Sequence, residues 1–279
     1  MPFIAPGQLL PQLMQASVTK TLLRPLPLLL LGFLAGAYIG FAAHLATVIS
    51  TGDIGWFGLK KFLAGAVFSL GLMLVIIPGS ELWTGNTLMT AAWLEGKIRL
   101  RVLLWNWLWV YLGNLAGAVF LAGIIAAGSG LLDGPVGSTA LQIASSKIAA
   151  EAWSFQHNLA YFCRAICCNW LVCLAVVMAL AAQDIGGKIL AIFFPIMAFV
   201  ASGFEHAIAN MYFIPAGIFS KQLPQALSGA GLSATELERL NPLAMWTDNL
   251  LAVSLGNLVG GAFFVAGLYW WAQKLRPER

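Results

Sequence analysis

Six runs of the chain are apolar over the twenty or so residues that a membrane-spanning helix needs, at 27–50, 57–93, 102–132, 159–182, 189–219 and 247–271. They follow one another with no soluble block between them. That pattern predicts a single all-α integral membrane domain over residues 1–279. Only 9% of the residues are charged and 60% are hydrophobic, with a mean hydropathy of +0.84. A soluble domain is about a quarter charged. The net charge of +4 does not point to nucleic acid, because the basic residues sit mostly at the ends of apolar runs, as topological anchors in the lipid bilayer.

The second and fifth runs are too long for one simple crossing, and each carries a glycine and a glutamate at its centre. The breaks are Pro78-Gly79-Ser80-Glu81 and Ser202-Gly203-Phe204-Glu205. An ionisable side chain at membrane depth costs about 2.5–3.5 kcal/mol on insertion scales and usually faces the protein interior. Each run therefore reads as two half-helices joined by irregular backbone, which a bilayer tolerates only where protein or a water-filled cavity surrounds it.

The two breaks belong to an internal repeat. Gly79-Ser80-Glu81-Leu82-Trp83-Thr84-Gly85-Asn86 and Gly203-Phe204-Glu205-His206-Ala207-Ile208-Ala209-Asn210 share the spacing Gly-x-Glu-x-x-x-x-Asn. Downstream of each, Leu112-Gly113-Asn114-Leu115 matches Leu255-Gly256-Asn257-Leu258, with Gly117 and Gly260 at the same offset. Each half, about 20–135 and 136–279, holds three crossings. Because three is odd, the halves enter the membrane from opposite sides. The expectation is six transmembrane helices in two inverted three-helix repeats, with the second and fifth helices broken and meeting near the midplane.

A half-helix that starts at a midplane break presents N–H groups and a positive dipole end, which suits a small anion. The first half-helix presents Thr84 and the second His206, a side chain able to donate, accept or release a proton near neutral pH. Glu81 and Glu205 are read as buried anchors that hold the broken backbone, with the amides of Asn86, Asn169, Asn210 and Asn257 as partners. A free carboxylate lining the path would repel an anion.

Other groups yield less. Cys163, Cys167, Cys168 and Cys173 fall in one apolar segment, which reads as helix packing rather than a disulfide framework or a thiolate metal site. His44 and His157 lie on different helices and keep open a rival reading, a haem-binding membrane subunit. An ammonium or water channel is another. No Walker, Rossmann, zinc-protease or Gly-x-Ser-x-Gly spacing occurs, so no enzyme, cofactor or metal is expected. Trp56, Trp93, Trp105, Trp107, Trp109, Trp246, Trp270 and Trp271 read as interfacial belt residues. The pairs Gly113/Gly117 and Gly256/Gly260 read as close helix packing, within or between subunits.

The leucine-rich run from Leu26 is too long for a signal peptide, and the first sixteen residues read as a short interfacial helix. The stretch 220–246, with Lys221, Glu236, Glu238 and Arg239, reads as a polar surface loop. Basic residues favour both termini in the cytoplasm, with Lys20, Arg24, Lys97, Arg99, Arg101, Lys188, Lys274, Arg276 and Arg279 inside and Lys60, Lys61, Lys147, Arg164, Lys221 and Arg239 outside.

At these positions the sequence resembles the formate/nitrite transporter family. The resemblance is carried by the 79–86 motif, by Cys168-Asn169-Trp170-Leu171-Val172-Cys173-Leu174-Ala175 and by Ala198-Phe199-Val200-Ala201-Ser202-Gly203-Phe204-Glu205-His206. Thr247-Asp248-Asn249-Leu250 followed by Leu255-Gly256-Asn257 completes it. It implies an aquaporin-like protomer in the plasma membrane, assembled as a homopentamer with one pore per protomer. The outer apolar constriction would be Phe68 and Phe199, the inner one Leu72, Leu82 and Val172, and Thr84 and His206 would face the vestibule between them. It also implies an anion-attracting lysine on the outer side of the fourth helix, for which Lys147 is the only candidate; it sits several residues further from Asn169 than the family pattern has it, so either an insertion follows it around Glu151 to His157 or the role has moved. Formate is the implied substrate, with nitrite and hydrosulfide as alternatives, and a proton shared through His206 would let the acid cross in neutral form.

Overall fold

The computed structural model describes residues 3–149 and 153–275. Glu151, Arg276 and Arg279, invoked above for an insertion and for topology, lie outside that range. The described chain is helical, apart from one bridge between Phe3 and Ala182. Five helical stretches are long and apolar enough to cross a membrane: Pro25–Ser50, Phe57–Ile76, Leu100–Gly128, Phe155–Ala181 and Pro242–Lys274. Two shorter apolar helices, Ile185–Ala201 and Ala207–Ser220, share the fifth apolar run between them.

In chain order, α1 (Pro6–Lys20) precedes α2 (Pro25–Ser50), whose proline at the first helical position follows an extended Arg24. Next come α3 (Phe57–Ile76), the single turn α4 (Trp83–Asn86), α5 (Thr90–Leu94) and α6 (Leu100–Gly123), which runs on through a π turn to Gly128. The second half opens with a separate short helix, α7 (Pro135–Ser146), before α8 (Phe155–Ala181), α9 (Ile185–Ala201) and α10 (Ala207–Ser220). The stretch expected as a polar loop instead folds into α11 (Pro224–Gly229), α12 (Ala234–Arg239) and α13 (Pro242–Met245). Prolines start α11 and α13, and a Ser233–Glu236 capping box starts α12. The last crossing combines a π turn (Trp246–Leu250), α14 (Leu251–Leu258), a nine-residue π segment (Val259–Gly267) and α15 (Leu268–Lys274).

Both helix breaks close in the same way. α3 and α9 end with glycine in the left-handed region, Gly79 at φ +87° and Gly203 at φ +76°. Ser80 N–H then bonds the carbonyl of Val75 at 2.9 Å, and Phe204 N–H that of Phe199 at 3.0 Å. This is the Schellman ending, which consumes carbonyls that lipid could not hydrate. The helices behind the breaks pack by matched glycine contacts within the protomer. A Cβ on Gly117 would lie 1.9 Å from the Phe33 carbonyl of α2, and one on its mate Gly260 would lie 2.4 Å from the Ile166 carbonyl of α8.

Helix α1 is more than an interfacial element. It buries Leu13, Met14 and Ser17, and its last residue, Lys20, reaches the first break. The tryptophans divide as well. Trp56, Trp105 and Trp271 are exposed, but Trp107 donates to the Asn86 carbonyl at 2.9 Å and Trp270 donates to Glu95 at 2.6 Å.

Candidate functional site

Each broken backbone is tied by one asparagine from the third long helix of its half. Asn114 Oδ1 accepts from Trp83 N–H at 2.9 Å, while its Nδ2 donates to the carbonyls of Gly32 and Glu81 at 2.8 and 2.9 Å. Asn257 does the same, accepting from Ala207 N–H at 2.8 Å and donating to Ala165 and Glu205 at 2.8 and 2.9 Å. The first amide of each half-helix is therefore already occupied, rather than open to an anion. In α10 the third is occupied too, since His206 Nδ1 accepts from Ala209 N–H at 3.1 Å as the N-cap.

The two glutamates are neutralised anchors. Lys20 Nζ lies 2.8 Å from both oxygens of Glu81 and 2.8 Å from Asn86 Oδ1, and Asn86 Nδ2 donates to Glu81 at 2.6 Å and to Asn106 at 2.9 Å. At the other break, Lys147 Nζ lies 3.0 Å from both oxygens of Glu205. Asn210 Nδ2 donates to Glu205 and to Asn249, each at 2.7 Å, and Asn249 Nδ2 returns to the Lys147 carbonyl at 3.0 Å. Asn86 and Asn210 hold the carboxylates as expected, and Asn257 holds the Glu205 backbone. Asn169 contacts neither glutamate: its Nδ2 is spent on the carbonyls of Thr84 and Asn257 and on the Thr87 hydroxyl. The lysines were missed as partners because sequence places them 61 and 58 residues from their glutamates. The repeat held the clue, since a lysine at one break calls for a mate at the other. Lys147 itself caps the end of α7, ahead of the fourth long helix rather than on it.

Two cavities approach the breaks from opposite ends of α3. One, of about 560 Å³, is lined by Lys60, Lys61, Lys147, Arg164, Glu205 and His206 and ends on Phe68 and Phe199. The other, of about 380 Å³, is lined by Ser17, Lys20, Glu81, Leu72 and Leu82. Phe68 and Phe199 meet edge to face with centroids 5.7 Å apart, and Phe199 lies 5.9 Å from the His206 ring. Leu72 lies one turn beyond Phe68 on α3, so the second cavity ends against the far side of the same layer. Val172 is buried in the core and lines neither cavity.

Between these apolar groups Thr84 Oγ1 and His206 Nε2 stand 3.0 Å apart and bond each other, with Thr84 fully buried and His206 3% exposed. The two side chains are in direct contact. Because Nδ1 accepts from Ala209, the neutral ring carries its hydrogen on Nε2, facing Thr84. His44 and His157 are elsewhere. His44 stands edge-on to Tyr212, and His157 Nε2 is 3.0 Å from the Asp248 carbonyl.

The sequence model of the formate/nitrite transporter family matches residues 7–271. A probable formate transporter of Methanothermobacter thermautotrophicus is 45% identical over 256 residues, 87% of each chain. The formate channel FocA of Escherichia coli K12 is 34% identical over 271 residues, 95% of this chain and 92% of that one. Among solved structures, a pentameric formate channel with formate bound superposes with a TM-score of 0.78 at 35% identity, covering 90% of this chain and 98% of that one. With broken, asparagine-tied helices meeting at a buried Thr84–His206 contact, and with these likenesses over nearly its whole length, the chain belongs to the formate/nitrite transporter family of membrane transport proteins.

Proposed function

We propose that this protein is a channel for small monovalent weak-acid anions, with formate as its main substrate and nitrite and hydrosulfide as ions of the same class. The observation that carries the reading is the Thr84–His206 pair, two hydrogen-bond donors set among apolar groups, with His206 reaching the larger cavity beside Phe68 and Phe199 and with Leu72 and Leu82 lining the other cavity. In this reading the protein is a homopentamer with one pore per protomer, the Lys147 cavity opens outward, and both termini lie in the cytoplasm of a plasma-membrane protein. The relatives named for formate, and the pentameric neighbour with formate bound, support it.

The Phe68–Phe199 contact excludes water, so a bare anion meets a steep desolvation barrier there. Past it, Nε2–H of His206 and the hydroxyl of Thr84 exchange their mutual bond for bonds to one anion oxygen. Lys147 faces the cavity with its charge already matched by Glu205, and Lys60, Lys61 and Arg164 add three further cations to that mouth. Attraction of anions is then a property of the mouth rather than of Lys147 alone.

Proton coupling through His206 has a defined structural cost. An imidazolium that gives its Nε2 proton to the carboxylate yields neutral acid and leaves an imidazole with hydrogen on Nδ1. That hydrogen would face Ala209 N–H, so the helix cap must open in each cycle. Stopped-flow uptake of formate, nitrite, hydrosulfide and ammonium into proteoliposomes tests the reading. Formate is expected to move fastest, and movement of ammonium alone would refute it. His206→Phe should slow formate and flatten its pH dependence; an unchanged rate with unchanged pH dependence would remove His206 from the mechanism.

A further inference from the structure

We propose that Gly261, in the π segment of the last crossing, is the positioning residue that aims Thr84 at His206; the inference rests on the channel reading above and names a specificity determinant within it. Three buried donors converge on the main-chain carbonyl of Thr84. Thr87 Oγ1 lies at 2.6 Å, Asn169 Nδ2 at 3.2 Å and Cys173 Sγ at 3.5 Å. The donors are also linked to one another, with Asn169 Nδ2 3.2 Å from Thr87 Oγ1 and Thr87 Oγ1 3.5 Å from Cys173 Sγ. Thr87, Asn169 and Cys173 are all fully buried. The knot fixes the backbone from which the Thr84 hydroxyl reaches His206.

Gly261 is what leaves space for the knot. A Cβ at this position would lie 2.0 Å from Thr87 Oγ1, 2.6 Å from Asn169 Nδ2 and 2.7 Å from Cys173 Sγ. No Cβ contact is that short, so any side chain must displace all three donors. The repeat shows that this is particular to one half. Counting from Leu115-Ala116-Gly117 and Leu258-Val259-Gly260, the mate of Gly261 is Ala118, on a regular α-helix. Gly261 instead lies in the nine-residue π segment, whose wider turn alters which residues face the half-helix. The half that contains Ala118 has no knot of this kind to admit, because Thr84 and Thr87 belong to the first half-helix and are met by the second half's last crossing.

A donor that must replace part of an anion's hydration shell works only when held in place, because a shift of an ångström or less removes much of its contribution. The prediction is that Gly261→Ala lowers formate flux about tenfold. It should also reduce the preference for formate over acetate, because a loosened Thr84 no longer scores the smaller anion. Thr87→Val removes the hydroxyl at nearly constant shape and should act in the same direction, whereas Thr87→Ser keeps the hydroxyl and should retain the wild-type preference.

The test measures formate and acetate influx into proteoliposomes for these variants, together with 15N resonances of histidine-labelled protein. Only His44, His157 and His206 contribute to those spectra, so His206 is assigned by difference against His206→Gln. The expected result is a shifted Nε2 resonance of His206 in Gly261→Ala and Thr87→Val but not in Thr87→Ser, with altered formate-to-acetate ratios in the same two variants. An unmoved His206 resonance in Thr87→Val, or equal loss of both anions with an unchanged ratio, overturns the positioning role, even if Gly261→Ala fails to assemble. Absence of formate flux in the wild type overturns the channel reading instead, and the resonances still decide whether Gly261 and Thr87 position Thr84.

Discussion

Lys20 Nζ and the carboxylate of Glu81 are 2.8 Å apart, although 61 residues separate them in sequence. The pair attaches the N-terminal helix to the first membrane break, where the second cavity ends. Its counterpart is Lys147 with Glu205, although Lys20 also bonds Asn86 Oδ1 at 2.8 Å. The Lys147 carbonyl is held by Asn249, whereas Lys20 depends on its side chain and on the packing of α1. The first break is thus closed by a side chain carried on a separate N-terminal helix.

Lys20→Met should therefore release α1 while leaving the rest of the fold intact. Glu81 would lose two charge-assisted contacts and Asn86 one, a destabilisation of about 1.5–3 kcal/mol for the docked helix. Hydrogen exchange over residues 6–20 should accelerate, with Lys20→Arg retaining much of the protection. Unchanged exchange in Lys20→Met would show that apolar packing by Leu13 and Met14 holds the helix without the ion pair.

Asn114 and Asn257 each bond three backbone groups at membrane depth, so alanine at either position leaves the first N–H of the half-helix and the glutamate carbonyl without partners, while the carbonyls of Gly32 and Ala165 keep their helical bonds. At about 1–3 kcal/mol for each of the two buried groups left unsatisfied, both variants should be among the most destabilised single substitutions in the chain. They should lower the unfolding temperature by similar amounts. Asn158→Ala, which removes one bond to the Ser154 carbonyl, is the control and should have little effect. A mild Asn257→Ala variant would mean that the break in the second half is not held by its asparagine.

Gly203→Ala isolates backbone strain from packing. A Cβ there meets nothing within 4 Å, so the whole effect comes from φ of +76°. The expected destabilisation is about 1–2 kcal/mol, less for Gly203→Asn, because asparagine tolerates the left-handed region. Gly79→Ala should match it, having the same open surroundings and a φ of +87°. Thermal unfolding of the three variants checks the ordering, and asparagine no better than alanine would count against a conformational origin.

What the sequence made legible follows from what a bilayer enforces locally. Apolar run length, the central glycines and the glutamates all declared broken helices, because lipid leaves backbone polar groups no other partner. The matched spacing of Asn114 and Asn257 was visible as a repeat, but their three-way bonding to the breaks depends on how helices cross. Lys20, Lys147, Asn106 and Asn249 were obscure for the same reason, since their partners are distant in sequence and meet only in the assembled bundle. Asn169 was assigned to the wrong partner because proximity to an apolar motif does not say which side of the helix faces the break. The short helices between 220 and 246 were hidden by their polarity, although Pro224, Pro242 and the Ser233–Glu236 box were in view.

Phe199 joins the two functional layers, its ring lying 5.7 Å from Phe68 and 5.9 Å from His206. Phe199→Ala should therefore have two separable consequences. Removing the ring widens the larger cavity where it reaches His206 and opens the way on to Thr84, which lowers the dewetting barrier and should raise the flux of acetate relative to formate. It also uncovers one face of the imidazole to water, which competes for Nε2–H and weakens its bond to Thr84. Phe68→Ala opens the same passage without uncovering His206 directly, so it should relax size selectivity while changing the pH dependence less. Parallel measurement of acetate-to-formate flux ratios and pH profiles in the two variants distinguishes the effects. Equal pH profiles would show that Phe199 acts only as a steric barrier, whereas an unchanged flux ratio in both would place the selective layer elsewhere in the pore.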